Sequence, residues 1–140
     1  MTKKKILIVD DEAPLSKVLK DKFESTGFEV LTAKNGEEGL MKAVTQKPDL
    51  ILLDIVMPRL DGMTMLKKLR EDEWGKGVEV ILLTNLSDND KVRQALKNNV
   101  YDYLIKSNWK LEDLVIKVKE KVIFLVFIYG DLWLINQILI

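Results

Sequence analysis

A chain of 140 residues suits one domain, and an apolar share of 47% is enough to build a core at that length. With no cysteine there is no disulfide, thiolate metal site or cysteine nucleophile; with no histidine the chain lacks the commonest general base and cannot itself carry a phosphohistidine. The zero formal charge announces no basic face for nucleic acid, and the basic start Lys3-Lys4-Lys5 precedes only four apolar residues before Asp10, too few for a secretory signal, so a cytoplasmic location is expected.

Strands and helices alternate along the chain. Residues 6–9 are uninterruptedly apolar, as in a strand covered on both faces. Pro14 suits the first turn of a helix; Leu15, Val18, Leu19 and Phe23 follow at helical spacing, and Gly27 marks its end. Residues 28–33 are the second predicted strand. Asn35 is placed to cap a helix, with Glu38 as its capping-box partner and Leu40, Ala43 and Val44 as its apolar face. Residues 50–53 form a buried strand ending at Asp54, and Asp61 begins a helix carrying Met65, Leu66 and Leu69. Residues 78–84 are the fourth strand, and Ser87 caps a helix containing Val92, Ala95 and Leu96. Residues 101–105 are the fifth strand; the last helix starts near Lys110 and carries Leu111, Leu114, Val115 and Val118. Five strands alternating with five helices predict an α/β fold, a parallel sheet with helices on both faces. Ligands of such sheets bind beyond the carboxyl ends of the strands, near the switch in strand order.

The predicted strand ends form an unusual set: Asp10, Asp11 and Glu12 at the first, Asp54 at the third, Thr84 at the fourth and Lys106 at the fifth. Two carboxylates about 4 Å apart repel by roughly 4 kcal/mol at an effective dielectric near 20. A cluster of acids therefore calls for a cation, and magnesium prefers such hard oxygen donors. Phosphoryl transfer needs positioning and charge neutralisation, and a carboxylate can be its nucleophile. Asp54 as nucleophile, with Thr84 and Lys106 holding phosphoryl oxygens, matches that chemistry. Singly, each residue has a plainer reading: acids at a helix start favour the dipole, and a lone Asp, Thr or Lys at a strand end is commonly a cap or turn residue. The signal lies in the set.

The segment Asp54-Ile55-Val56-Met57-Pro58-Arg59-Leu60-Asp61-Gly62-Met63 resembles the phosphoacceptor segment of the response regulator receiver family of two-component signalling. Ile6-Leu7-Ile8-Val9-Asp10-Asp11-Glu12, Val80-Ile81-Leu82-Leu83-Thr84 and Tyr103-Leu104-Ile105-Lys106 resemble its other motifs, and the resemblance covers about residues 4–121. It implies a flavodoxin-like sheet of order 2-1-3-4-5. It implies that Asp54 takes the phosphoryl group from a histidine kinase or phosphotransfer protein. Asp11, Asp54 and the Val56 carbonyl would bind magnesium, and Asp10 would support it, through water. Lys106 would pair with Asp54 or its phosphate. Thr84 would hydrogen-bond the phosphoryl oxygen, and Tyr103 would change rotamer with it, reshaping the surface of the fourth helix, fifth strand and fifth helix. The implied protein is a signalling switch that catalyses its own phosphorylation, not a metabolic enzyme.

Two positions depart from the family pattern. Asn85 stands where a small residue usually follows the threonine, which narrows access to the phosphoryl group. Ser107 stands where a proline in a cis bond usually follows the lysine; a cis bond before a non-proline residue costs about 2.5–4 kcal/mol, so a trans bond or a rearranged loop is expected. Residues 1–121 are read as the receiver unit and 122–140 as an apolar extension in which Asp131 is the sole charge. That extension has three readings: a continuation of the last helix that pairs with another copy or packs on this domain, a hairpin turning at Gly130-Asp131, or a membrane anchor. Asp131, Asn136 and Gln137 argue against the anchor.

Other function classes fit less well. Phosphatases with an aspartyl-phosphate intermediate usually carry Asp-x-Asp at the first strand, whereas Asp10 and Asp11 are adjacent. A flavin carrier of similar fold needs a phosphate loop where Asp11 and Glu12 would repel the phosphate. A phosphorylation-independent scaffold is the remaining alternative, with Asn85 and Ser107 in its favour.

Overall fold

The computed structural model describes residues 3–55, 57–84, 93, 97, 98, 100, 102–105 and 111–129. In chain order the elements are β1 (Lys5–Val9), α1 (Ala13–Ser25), β2 (Glu29–Ala33), α2 (Gly36–Gln46), β3 (Leu50–Asp54), α3 (Gly62–Glu71), β4 (Glu79–Thr84), β5 (Asp102–Ile105) and α4 (Leu111–Tyr129). The strands form one parallel sheet of order β2-β1-β3-β4-β5, the order the family resemblance implies. The fourth expected helix, with Ser87, Val92, Ala95 and Leu96, lies mostly outside the described residues, although Arg93 and Lys97 are helical.

Alternate side chains of a strand point to opposite faces, and each face here has its own core. Ile6, Ile8, Leu50, Leu52, Ile81 and Leu83 pack with Leu19 and Phe23 of α1 and Leu114 and Val118 of α4. Leu7, Val9, Ile51, Leu53, Val80 and Leu82 pack with Ala43 of α2 and Met65, Leu66 and Leu69 of α3. Burial on both faces is why these strands read as unbroken apolar runs.

Local chemistry sets the helix ends. The Asn35 side chain caps α2 by accepting from the Glu38 backbone N–H at 2.8 Å. The expected reciprocal bond differs by one residue: Glu38 Oε2 accepts from the Lys34 N–H, at 3.3 Å. Asp61 caps α3 through the Thr64 N–H at 2.8 Å. After α1, Gly27 takes a φ of 99°, a backbone that side chains disfavour. The α1 stripe is also displaced from the expected one, because Val18 is half-exposed and Ser16 is buried. At about 100° per residue, Leu15, Ser16, Leu19 and Phe23 share one arc and Val18 falls outside it.

The last helix continues without a break from Leu111 to Tyr129. Residues 122–129 are thus helical rather than the first strand of a hairpin; Gly130, Asp131 and the rest of the extension lie outside the described residues. Among the described residues, no helix is long and apolar enough to cross a membrane.

Candidate functional site

The site sits where strand order reverses. β1 lies between β2 and β3, and its register sets Val9 level with both Ala33 and Leu53. The residues that follow, Asp10 and Asp54, therefore emerge side by side although 44 positions separate them in the chain. Asp10 is fixed by its N–H donating to the Ala33 carbonyl at 3.0 Å. Its Oδ1 accepts from the Glu12 N–H at 2.9 Å. Ser16 Oγ donates to the Asp10 carbonyl at 3.4 Å, which is why a serine occupies a buried place on α1.

Asp10, Asp11 and Asp54 each offer a carboxylate oxygen, and the three oxygens lie within 4.8 Å of one another. Asp10 is 2% exposed and Asp54 4%, whereas Asp11 is open to solvent. Two buried carboxylates and one accessible one, all hard oxygen donors, suit a small divalent ion approached from solvent. Glu12, grouped with the acids in sequence, is outside this trio.

The loop from β3 to α3 is tied at several points. The Ile55 N–H donates to the Leu83 carbonyl at 3.3 Å, and the Gly62 N–H to the Ile55 carbonyl at 2.9 Å. The Gly36 N–H donates to the Leu60 carbonyl at 2.9 Å, joining the loop to the start of α2. A Cβ on Gly62 would overlap the Asp54 carbonyl oxygen, so only glycine lets α3 start so close to the phosphoacceptor candidate. Sequence reading missed Ser16 and Gly62: the serine resembles any helix-surface residue, and the close approach of Gly62 to Asp54 is a tertiary fact. Arg59 adopts φ 65°, a left-handed conformation within the same loop.

The remaining expected residues are placed only in part. Thr84 ends β4, one residue beyond Leu83, which is level with Asp54, and it is level with Ile105 on β5. Tyr103 is on β5, level with Leu82. Val56, Asn85, Lys106 and Ser107 lie outside the described residues, so the expectations placed on them do too.

A doubly wound sheet with an acidic trio at its switch point defines a class of α/β proteins that work on a ligand or group at that edge. Within that class, the chain belongs to the response regulator receiver domain family, whose pattern matches residues 6–119. It is 44% identical over 104 residues to the alkaline phosphatase synthesis transcriptional regulatory protein PhoP of Bacillus subtilis, covering 74% of this chain and 42% of that one. The chain thus spans less than half the length of this relative. A CheY-like receiver domain protein from Methanospirillum hungatei superposes with a TM-score of 0.80 at 31% identity, covering 86% of this chain and 94% of that one. The CheY of Borrelia burgdorferi, solved with CheX, beryllofluoride and magnesium, superposes at 0.76 with 30% identity, covering 84% and 87%.

Proposed function

We propose that this receiver domain is a switch in which Asp54 accepts a phosphoryl group, in a magnesium-dependent reaction, from a phosphohistidine on a histidine kinase or phosphotransfer protein. The carrying observation is the trio of carboxylate oxygens within 4.8 Å, with Asp54 held at the end of β3. In the transfer, an Asp54 oxygen forms a bond to phosphorus as the donor's nitrogen–phosphorus bond breaks. Asp11, Asp54 and the Val56 carbonyl are assigned to the ion and Asp10 to its support; when bound, magnesium neutralises charge on the transferring group. Lys106 and Thr84 are assigned to the phosphoryl oxygens, and Tyr103 to the relay toward the face made by the expected fourth helix, β5 and the last helix. The beryllofluoride and magnesium named for the Borrelia relative favour this assignment.

The energy scale is adequate. Moving a two-state surface from 1:99 to 99:1 needs about 5.5 kcal/mol. Two or three charge-assisted hydrogen bonds to a new phosphoryl group, at roughly 1.5–3 kcal/mol each, are of that order. We assign the switch to residues 1–121 and a cytoplasmic setting, with no direct nucleic-acid contact by this domain. The apolar extension is assigned to pairing two copies through the same face.

The test is incubation with magnesium and either a small phosphoryl donor or beryllofluoride, read by mass and NMR, against Asp54→Asn. The expected result is a phosphoryl adduct, stable in acid and labile in base, from the donor, and NMR shifts around Asp54 from beryllofluoride, both lost in the variant. Modification persisting in Asp54→Asn would move the acceptor elsewhere, and no response in either protein would favour the scaffold.

A further inference from the structure

Beside the acidic trio, at the sheet edge formed by β2, lies a cavity of about 600 Å³. Three elements supply its cations: Lys17 and Lys20 from α1, Lys34 from just after β2, and Lys42 from α2. Asp10 and Asp11 line both this cavity and the metal candidate, and Glu38 is the third acid. Lys20 is committed to Glu24 at 2.6 Å. Lys42 is committed to Glu38 at 3.0 Å and donates to the Thr32 carbonyl at 2.5 Å. Lys17 and Lys34 are exposed and have no ion pair among the described residues.

We propose that this cavity binds a phosphate monoester of about sugar-phosphate size, with Lys17 and Lys34 holding the phosphate. Ligand cavities span about 300–1,000 Å³, so this one has room for an organic body as well as the anion. Two uncommitted ammonium groups match the two charges of a monoester. Ala13, Ala33 and the lysine stems give that body partly apolar walls, and Glu38 and Thr32 offer acceptors for hydroxyl groups. Glu24 offsets Lys20 and Glu38 offsets Lys42, so Lys17 and Lys34 are balanced by Asp10 and Asp11, and those two acids oppose an anion until a cation sits on them. A divalent ion on Asp10 and Asp11 makes the balance clearly positive, so monoester and ion bind with positive coupling, each tightening the other by about fivefold or more. The coupling rests on the magnesium reading; the lysine site does not.

The test titrates glucose 6-phosphate into the whole chain by amide NMR, with glucose as the uncharged control, with and without magnesium. Saturable shifts around Lys17, Lys34 and Glu38 are expected. They should weaken about tenfold or more in the exposed-site variant Lys17→Gln/Lys34→Gln, and persist in Asp54→Asn. Absence of saturation at millimolar concentration, unchanged binding by the double variant, or shifts confined to Asp54, Ile55 and Gly62 would overturn the site. If magnesium titrates Asp54 normally but leaves the sugar-phosphate affinity unchanged, the coupling is wrong and the site stands. If magnesium itself does not bind, the phosphoacceptor reading fails instead.

Discussion

Adding one methyl group at Gly62 tests whether the start of α3 positions Asp54. In Gly62→Ala the new Cβ would overlap the Asp54 carbonyl oxygen and lie 2.9 Å from both the Asp54 carbonyl carbon and Ile55 Cα. Ordinary contact begins near 3.4 Å and the overlap with the carbonyl oxygen is the tightest of the three, so backbone must move by about 1 Å on one side or the other. Both sides are anchored, since the Gly62 N–H bonds to Ile55 and the Ile55 N–H to Leu83. Overpacking of this kind costs about 1–3 kcal/mol. At an m-value near 2 kcal/mol/M, that moves the urea midpoint down by roughly 0.5–1.5 M. Gly77→Ala is the control, because a Cβ there meets nothing within 4 Å. Chemical unfolding gives the stability, and the beryllofluoride binding in magnesium that the proposed function predicts reports the geometry at Asp54. The expected pattern is a destabilised Gly62→Ala with weakened beryllofluoride binding, and a Gly77→Ala within about 0.5 kcal/mol of the parent. A Gly62→Ala protein that matches the control in both measurements would refute the close approach.

Phe23 is fully buried and meets Phe28 edge-to-face at 5.8 Å, whereas Val18 is 50% exposed, so Phe23→Ala should destabilise by about 3–5 kcal/mol and Val18→Ala by under about 1 in the same urea assay. Arg70 donates to the carbonyls of Asn98, Gly75 and Val78 at 2.7, 2.6 and 2.8 Å; Arg70→Met should cost about 2–4 kcal/mol and speed hydrogen exchange of amides near Gly75 and Asn98, and unchanged exchange would show that water replaces the guanidinium. The hydrogen bond from Lys42 holds the Glu38 carboxyl below its ordinary range, outweighing desolvation. Because the folded pKa is depressed, the stability it contributes is present above the ordinary glutamate range and lost as pH falls through the lowered value. The gap in urea midpoint between the parent and Glu38→Gln should accordingly be largest near neutrality and vanish in acid; a gap that persists in acid would point to another origin.

Much of this fold was legible because its strands are short, doubly covered and separated by turn chemistry that local sequence records. Asn35, Asp61 and Gly27 mark helix ends by their own side chains or lack of one. Asp54 announced itself as a polar residue ending the apolar run Leu50–Asp54. Errors came where the reading needed a direction in space. Val18 fits a helical spacing but points away from the core, and Ser16 was invisible because its role depends on the Asp10 carbonyl.

By itself, the sequence determined the described elements, their alternation and the residue types at strand ends, since these follow from periodicities and backbone preferences acting over a few residues. Tertiary structure decided which acids meet. Only the placement of β1 between β2 and β3 brings Asp10 and Asp11 to Asp54, and only packing separates the buried Asp10 from the exposed Asp11. The physical reason is that hydrogen-bonded register converts distant positions into neighbours, whereas local sequence carries no measure of distance across a sheet.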